Sequence, residues 1–195
     1  MDLSPITLEG QFVKLVPLTL EHRDALVSAA TDGKLWELWF TSVPNEVRVD
    51  DYLNMAFEQQ SLGRALPFTV IDKHTDEVIG STRFCNIDSK NRRLEIGYTW
   101  YAKRFQRTGV NTECKKLLLS YAFETLNVIA VEFRTHWHNQ ASRNAIARLG
   151  AKQDGVLRNH QIMADGCVRD TVVFSIIDGE WPMVKRSLEF KLAQS

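Results

Sequence analysis

The residues best suited to chemistry lie in one short segment between a strand-like run and an amphipathic helix. The segment reads Gln106-Arg107-Thr108-Gly109-Val110-Asn111-Thr112-Glu113. A glycine-containing connection that leads into a helix leaves backbone N–H groups without intrahelical acceptors, and together with the helix dipole these groups attract anions. The spacing therefore predicts a diphosphate site, which indicates a nucleotide-like cofactor.

Glu95 is a second candidate, on the strand Leu94–Tyr101 that precedes this segment. Strict alternation places the even-numbered residues of the strand on one face and its odd-numbered residues, including Glu95, on the other. A carboxylate at this place can accept a proton from a reacting group through water. A surface glutamate paired with Arg92 or Arg93 is an equally good interpretation, because only geometry separates the two.

Two histidines and three aromatic residues leave several roles open. His136 and His138 point to one face of an extended segment, as a metal pair would, but no third ligand follows at a convincing spacing. Substrate contact or proton transfer by one of them is the alternative. Trp36, Trp39 and Phe40 either belong to the core or line a substrate pocket, and the core is favoured for at least one of them.

The composition fits one globular domain that spans residues 1–195. The chain is 44% hydrophobic, and its 24 basic and 24 acidic residues give no net charge. A neutral chain has no general electrostatic reason to bind nucleic acid or an anionic membrane. Cys85, Cys114 and Cys167 are odd in number and widely spaced, which favours reduced thiols over a disulfide framework. With no evident signal segment or long apolar run, the sequence predicts a cytoplasmic protein.

The periodicity predicts the element order β-α-α-β-β-β-α-β-α-β-β. Strands are expected at Gln11–Leu18, Pro67–Asp72, Val78–Asn86, Leu94–Tyr101, Val128–Thr135, Val156–Met163 and Val168–Ile177. Helices are expected after the Gln106 segment, at Leu20–Ala30, from an N-cap at Asp50 or Asp51 to Gln60, and from Asn139 to Gly150. Asp165-Gly166 predicts a type I′ turn. Hairpins mixed with one β-α-β crossover favour an α+β fold with a mixed, mostly antiparallel sheet flanked by helices.

Two signatures, one at Gln106–Asn111 and the other at Asn139–Ala151, resemble those of the GNAT superfamily of acyl-CoA-dependent N-acetyltransferases. The resemblance covers nearly the whole chain. The family's cofactor loop, Gln/Arg-x-x-Gly-x-Gly/Ala, is matched by Gln106 and Gly109, with Asn111 in place of the final small residue. The second signature is matched at Asn139, Ser142, Leu149 and Gly150. Ile146 stands where many members carry a catalytic tyrosine, and Ala151 stands where phenylalanine is usual.

With Ser142 in the second signature, the chain resembles the Rim-type branch of the family. This branch contains the ribosomal-protein-serine N-acetyltransferases and their relatives. Three further segments support the likeness, Leu8-Glu9-Gly10, Glu95-Ile96-Gly97-Tyr98 and Asp178-Gly179-Glu180-Trp181-Pro182. The resemblance implies that the amides from Gln106 to Thr112 hold the diphosphate of coenzyme A. It also implies that backbone groups of Trp100 and Tyr101 pair with the pantetheine amides, as an added strand would.

The resemblance also assigns roles at the start of the second signature. Asn139 is a good helix N-cap, and the family implies that it makes a hydrogen bond to pantetheine. Ser142 either bonds back to the cap or serves the departing thiolate in place of the missing tyrosine. Because a serine hydroxyl is a poor acid, a hydrogen bond or a water relay is favoured over full proton transfer.

These residues together predict an acetyl-CoA-dependent N-acetyltransferase that acts by direct transfer to a primary amine in a ternary complex, with Glu95 or water as base. The resemblance implies that the amine is the N-terminal α-amine of a protein or peptide, with a small amine as the other option. A non-catalytic acyl-CoA-binding or sensor module is the alternative, motivated by Ile146 and Asn111. An ATP-dependent enzyme is disfavoured because no GxxxxGK loop ending in Ser or Thr occurs. The oligomeric state is left open, with a homodimer through exposed aromatic residues as one option.

Overall fold

The computed structural model describes residues 1–194, and its strands join into one sheet. In chain order they are β1 (Leu8–Glu9), β2 (Val13–Pro17), β3 (Leu66–Asp72), β4 (Val78–Asp88), β5 (Arg93–Tyr101), β6 (Ala130–His136), β7 (Lys152–Ile162) and β8 (Val168–Ile177). The helices are α1 (Arg23–Thr31), α2 (Val49–Ser61), α3 (Gly109–Ser120), α4 (Gln140–Leu149) and α5 (Trp181–Leu192). Short 3₁₀ turns lie at Leu20–His22, Leu35–Glu37 and Lys103–Phe105, and α3 continues into a π-helical turn at Tyr121–Thr125.

Neighbouring strands follow the order β1-β2-β3-β4-β5-β6-β8-β7. Within residues 1–194 each neighbouring pair is antiparallel except β5 and β6, which are parallel and are connected through α3. The predicted α+β class and element order are confirmed, with two additions, the two-residue β1 and the C-terminal α5. Pro182 lies in the first turn of α5, where proline starts a helix instead of ending one.

The two faces of the sheet bury separate apolar clusters. On one face α3, α4 and α5 contribute Leu118, Ile146 and Leu188 to what we call the α3–α5 cluster. On the opposite face α1 and α2 contribute Leu26 and Leu53 to the α1–α2 cluster. A side chain on the sheet therefore belongs to one helical layer or the other. Among residues 1–194, none of the helices combines the length and the apolar character that crossing a membrane requires.

A β-bulge interrupts β5 in its second half. On β4, Ser81 pairs with Trp100 and Arg83 pairs with Gly97, so two residues of β5 oppose the single β4 residue between them. Tyr98 is one of the two, and its φ of 52° lies in the left-handed region that non-glycine residues seldom adopt. A bulge of this kind bends its strand and redirects the side chains that follow it.

The predicted alternation of β5 is therefore wrong beyond the bulge. Leu94 and Ile96 lie together in the α3–α5 cluster as expected, but Tyr101 joins them there, and Trp100 lies in the α1–α2 cluster. The extra residue moves every later side chain to the other face. Glu95 precedes the bulge and keeps its predicted place on the face opposite Leu94.

Two local predictions are also wrong. Asp50 and Asp51 do not cap α2, because the helix begins at Val49 and both aspartates lie in its first turn. The last hairpin has no type I′ turn, which would require a positive φ at both central residues. Gly166 has a φ of 84° but Asp165 is not among the residues with positive φ, and the Gly166 N–H closes the turn on the carbonyl of Met163 at 2.9 Å.

Candidate active site

β5 and β6 separate soon after they pair. Within the described chain their parallel ladder joins residues 93–95 to residues 130–132 and then ends. Beyond that point Ile96–Tyr101 and Phe133–His136 border an opening that we call the slot. Strand edges that face such an opening present backbone donors and acceptors, so an extended ligand with amide groups can add there as a strand does.

The predicted diphosphate segment forms the N-terminus of α3, at the end of the sheet where the slot opens. Arg107 has a left-handed φ of 63°, and Thr108 is the N-cap. Thr108 Oγ1 accepts from the Val110 N–H at 3.3 Å and donates to the carbonyl of Phe105 at 2.7 Å. The N–H groups of Gly109 and Asn111 lie in the first turn of α3, where intrahelical acceptors are lacking. This arrangement suits a diphosphate, and the role of Gln106–Thr112 as its binding segment stays a prediction.

Three predicted cofactor residues around the end of β5 already make contacts within the protein. Gln106 Nε2 donates to the Tyr101 carbonyl at 2.9 Å, so this amide braces the loop against the strand. Trp100 Nε1 donates to the Tyr52 hydroxyl at 3.4 Å, and the rings of Trp100 and Tyr101 are both buried. Any contact between these two aromatic residues and a cofactor therefore falls to their backbone groups.

The N-terminus of α4 follows β6 and lies at the same end of the sheet as that of α3. Asn139 Oδ1 accepts from the Ser142 N–H at 3.0 Å, so Asn139 is the N-cap that the sequence predicted. Within residues 1–194 the Ser142 hydroxyl has no hydrogen-bond partner, which leaves it available to a ligand. One turn later Ile146 is buried in the core, so this position supplies no proton.

Glu95 lies at the last pair of the β5–β6 ladder, where the slot begins. Its side chain is buried, with 7% exposure, and burial raises its pKa above the ordinary value of 4.5. Asn86 Nδ2 donates to Glu95 Oε2 at 2.8 Å, and Arg134 Nε lies 3.5 Å from the same oxygen. A Cβ atom built on Gly97 would lie 3.0 Å from Oε1, so the carboxylate extends along β5 towards the bulge.

The interpretation of Glu95 as a surface residue paired with Arg92 or Arg93 is wrong. Arg92 Nε donates to the carbonyl of Asn127 at 2.8 Å, and Arg93 pairs with Glu132 across the ladder. Glu95 instead lines a cavity of about 180 Å³ that opens beside the ladder. A carboxylate with a raised pKa that borders a cavity is suited to proton transfer.

His136 and His138 contact aromatic side chains from the N-terminal region. The Trp39 ring meets His136 edge to face with centroids 4.9 Å apart and lies 5.9 Å from His138, while Phe40 lies 6.4 Å from His136. The His138 N–H donates to His136 Nδ1 at 3.0 Å, so a neutral His136 carries its proton on Nε2. Burial, more than the neighbouring positive charges, lowers the pKa of His136 and favours that neutral form. Trp36 packs against the α1–α2 cluster, as the core interpretation required.

Three buried charged residues near these elements were assigned no role from the sequence. They are Arg83 on β4, and Glu113 and Lys115 on α3. Each reads locally as an ordinary surface residue, and only the tertiary structure buries it.

Lys115 lies beneath the bulge with 5% exposure. Its Nζ donates to Thr99 Oγ1 at 2.6 Å, and the Thr99 hydroxyl also shares a hydrogen bond of 2.8 Å with the hydroxyl of Thr82. Burial lowers the pKa of Lys115 from 10.5 to about 8. The contact links α3 to the distorted part of β5, which borders the slot.

Lys115→Met is expected to change how stability depends on pH. The unfolded chain holds this proton up to pH 10.5 and the folded chain only to about 8, so the free energy of unfolding rises with pH between these values. The variant should lose that rise and should be more stable than the wild type at pH 7, by about 3 kcal/mol at most. Urea unfolding of both proteins at several pH values measures the difference. Parallel stability curves for the two proteins would show that burial does not disfavour the ammonium.

Comparison with known proteins agrees with this geometry. The family model described as an acetyltransferase (GNAT) domain matches residues 13–152. An uncharacterized N-acetyltransferase of Bacillus licheniformis, p20, is 29% identical over 176 residues, which are 90% of this chain and 98% of p20. The ribosomal protein uS5-alanine N-acetyltransferase of Escherichia coli (strain K12) is 25% identical over 130 residues, which are 66% of each protein. The crystal structure of a GCN5-related N-acetyltransferase from Brucella melitensis has a TM-score of 0.88 and 30% identity, covering 97% of this chain and 86% of that one.

The matched region includes the slot, the N-terminus of α3 and all of α4. The chain therefore belongs to the GNAT family of acetyltransferases, and a ribosomal-protein N-acetyltransferase is among its relatives. The predicted family, branch and enzyme class are confirmed.

Proposed function

We propose that this protein moves the acetyl group of acetyl-CoA to a primary amine by direct attack in a ternary complex. The observation that carries the proposal is the slot between β5 and β6, which begins at Glu95 and opens towards the N-terminus of α3. The free N–H groups of α3 suit the diphosphate, and the slot edges suit the pantetheine amides. The donor supplies an activated thioester carbonyl, and the protein supplies binding, orientation and proton transfer.

The residues around the slot have separate roles in this proposal. Glu95 accepts a proton from the amine, through water, because its raised pKa matches that task. A backbone N–H near Trp100 or Tyr101 polarises the thioester carbonyl. The free hydroxyl of Ser142 donates a hydrogen bond to the departing sulfur, and Asn139 keeps its amide N–H₂ for pantetheine while its oxygen caps α4.

A covalent route through cysteine is not part of the proposal. Cys114 is buried on α3, and burial raises the pKa of its thiol to about 12. Burial also raises the pKa of the Cys85 thiol. Thiols of this kind are poor nucleophiles, because the thiolate is the reactive form. All three cysteines are free in the described chain, which agrees with a reducing, cytoplasmic location as part of the proposal.

The acceptor we favour is an α-amine. An α-amino group has a pKa of about 8 and a lysine side chain about 10.4, so freeing the lysine amine at neutral pH costs roughly 3 kcal/mol more. A site with one carboxylate base and no proton donor at Ile146 suits the less basic amine. A relative named for the alanine of a ribosomal protein agrees with an N-terminal amine, and a small α-amino compound fits the same chemistry.

Two peptides of one sequence test the proposal. One has a free N-terminus and an acetylated lysine, and the other has a blocked N-terminus and a free lysine. With acetyl-CoA as donor, mass spectrometry and release of the CoA thiol should both show acetylation of the α-amine at about ten times or more the rate of the lysine amine. Tight acetyl-CoA binding with no acetylation of either peptide or of small α-amines would favour the alternative that the buried Ile146 motivates, a non-catalytic acyl-CoA-binding module.

A further inference from the structure

Arg83 is a buried cation that pairs with no carboxylate among residues 1–194. It lies on β4 with 1% exposure, and neither its Nε nor its Nη2 has a hydrogen-bond partner among residues 1–194. Buried guanidinium groups are normally paired with an anion, because removing their water is costly. An unpaired one therefore indicates that the anion arrives from outside the chain.

Two tyrosine rings fix the position of this guanidinium. Its central carbon lies 4.8 Å from the ring centroid of Tyr52 on α2 and 4.0 Å from that of Tyr98 in the bulge. Stacking against ring faces restricts the plane of the group and leaves its N–H edges for planar, bidentate acceptors such as a carboxylate. Tyr98 is exposed and borders the slot, so the stacked group lies beside the place where acetyl transfer is proposed.

Glu95, a carboxylate on the same face of the sheet as Arg83, is engaged by other residues. Cys85 lies beside Glu95 across the β4–β5 ladder, and Arg83 lies two residues before Cys85 on the same face. Glu95 binds Asn86 and Arg134, as described above, and makes no ion pair with Arg83 in the described chain. The Arg83 guanidinium is therefore a positive group on this face that no carboxylate of the described chain neutralises.

We propose that the acceptor amine also carries a carboxylate, which Arg83 binds while the amine lies near Glu95. The inference rests on the proposed acetyl transfer. Arg83 pairs with Gly97, two residues beyond Glu95, and two residues of a strand span about 7 Å. A carboxylate only a few bonds from the amine can reach both groups. Free α-amino acids and peptides with an acidic second residue both meet this requirement.

Two matched pairs of acceptors test the inference. They are L-alanine with L-alaninamide, and the dipeptide amides Ala-Asp-NH₂ with Ala-Asn-NH₂. In at least one pair the wild type should acetylate the carboxylate member with a kcat/KM about ten times higher or more, mainly through KM. The pair that shows this ratio identifies the source of the carboxylate.

Arg83→Gln should bring that ratio close to one and leave the rate with the neutral acceptor and the affinity for acetyl-CoA nearly unchanged. Arg64→Gln, at an exposed arginine, is the matched control and should keep the ratio. A ratio that survives Arg83→Gln, equal rates within both wild-type pairs, or a wild type that acetylates none of the four would overturn the inference. Acetyl-CoA binding separates these results from failure of the proposed function, because a protein that binds no acetyl-CoA fails at the earlier step.

A second measurement covers the case in which Arg83→Gln does not fold. With CoA present, N-acetyl-L-alanine or N-acetyl-Ala-Asp-NH₂ should raise the melting temperature of the wild type more than its neutral counterpart does. This comparison uses products and needs neither turnover nor a variant. Equal shifts within both product pairs would overturn the inference.

Discussion

Glu95→Gln is expected to lower kcat about a hundredfold or more while leaving the affinity for acetyl-CoA unchanged. The amide has nearly the shape of the carboxylate and can still accept from Asn86, but it cannot accept a proton. Because the side chain lies at the beginning of the slot and lines a cavity, removing its charge should slow proton removal from the amine and leave binding of the donor unchanged. Steady-state kinetics with an accepted amine measure the change in kcat, and calorimetry measures donor affinity.

The pH dependence of the rate gives a second measure of Glu95. Burial raises its pKa, and a base acts only when it is deprotonated, so the wild-type rate should fall as the pH drops through that raised value. Glu95→Gln should remove this acidic limb. Glu132→Gln is the matched control, since Glu132 pairs with Glu95 across the ladder but is held by Arg93 and Arg134. An unchanged acidic limb in Glu95→Gln would assign the base elsewhere.

Glu113→Ala is expected to destabilise the protein by about 3 kcal/mol or more, since each hydrogen bond to a charged group contributes about 1.5–3 kcal/mol. The Glu113 carboxylate accepts from the N–H groups of Gln11, Phe12 and Val13 at 2.7, 2.7 and 2.9 Å. It thereby ties the N-terminal half of α3 to the connection between β1 and β2. The fit is close, because a Cβ atom built on Gly10 would lie 2.6 Å from Glu113 Oε2.

Denaturant unfolding of Glu113→Ala measures this loss. Glu189→Ala is the matched control, because Glu189 is a half-exposed residue of α5 that pairs with Lys116 at 3.4 Å. A surface pair of this kind contributes about 0–1 kcal/mol. If both variants unfolded at the same denaturant concentration, the three backbone hydrogen bonds would not hold α3 in place. A weakened acetyl-CoA affinity should accompany the loss, since Glu113 fixes the helix whose N-terminus is the proposed diphosphate site.

The sequence patterns predicted those parts of the structure that local signals determine. The element order follows from hydrophobic periodicity, and Asn139 was correctly identified as the N-cap of α4 because capping depends on a few adjacent residues. The bulge at Tyr98 was missed, since it depends on how β5 registers with β4. The faces of Trp100 and Tyr101 were wrong for the same reason.

The buried charges depend on contacts between distant parts of the chain. Glu113 binds backbone groups about a hundred residues earlier, and Arg83 stacks on Tyr52 from a different element. No pattern in a single segment indicates either contact. Asp50 shows the converse, because its residue type suggested a cap whereas the helix begins one residue before it.

Calorimetric titration with acetyl-CoA measures whether the N-terminus of α3 binds this donor, with ATP as the control ligand. We expect a Kd of roughly micromolar order for the wild type and affinity at least about a hundredfold lower for Gly109→Trp, whose side chain would lie at the first residue of α3 among the free N–H groups. Gly179→Trp is the matched control, because a Cβ atom there meets nothing within 4 Å, and it should bind as the wild type does. No heat with acetyl-CoA for the wild type, equal affinity in all three proteins, or a preference for ATP would show that this helix N-terminus is not an acetyl-CoA site.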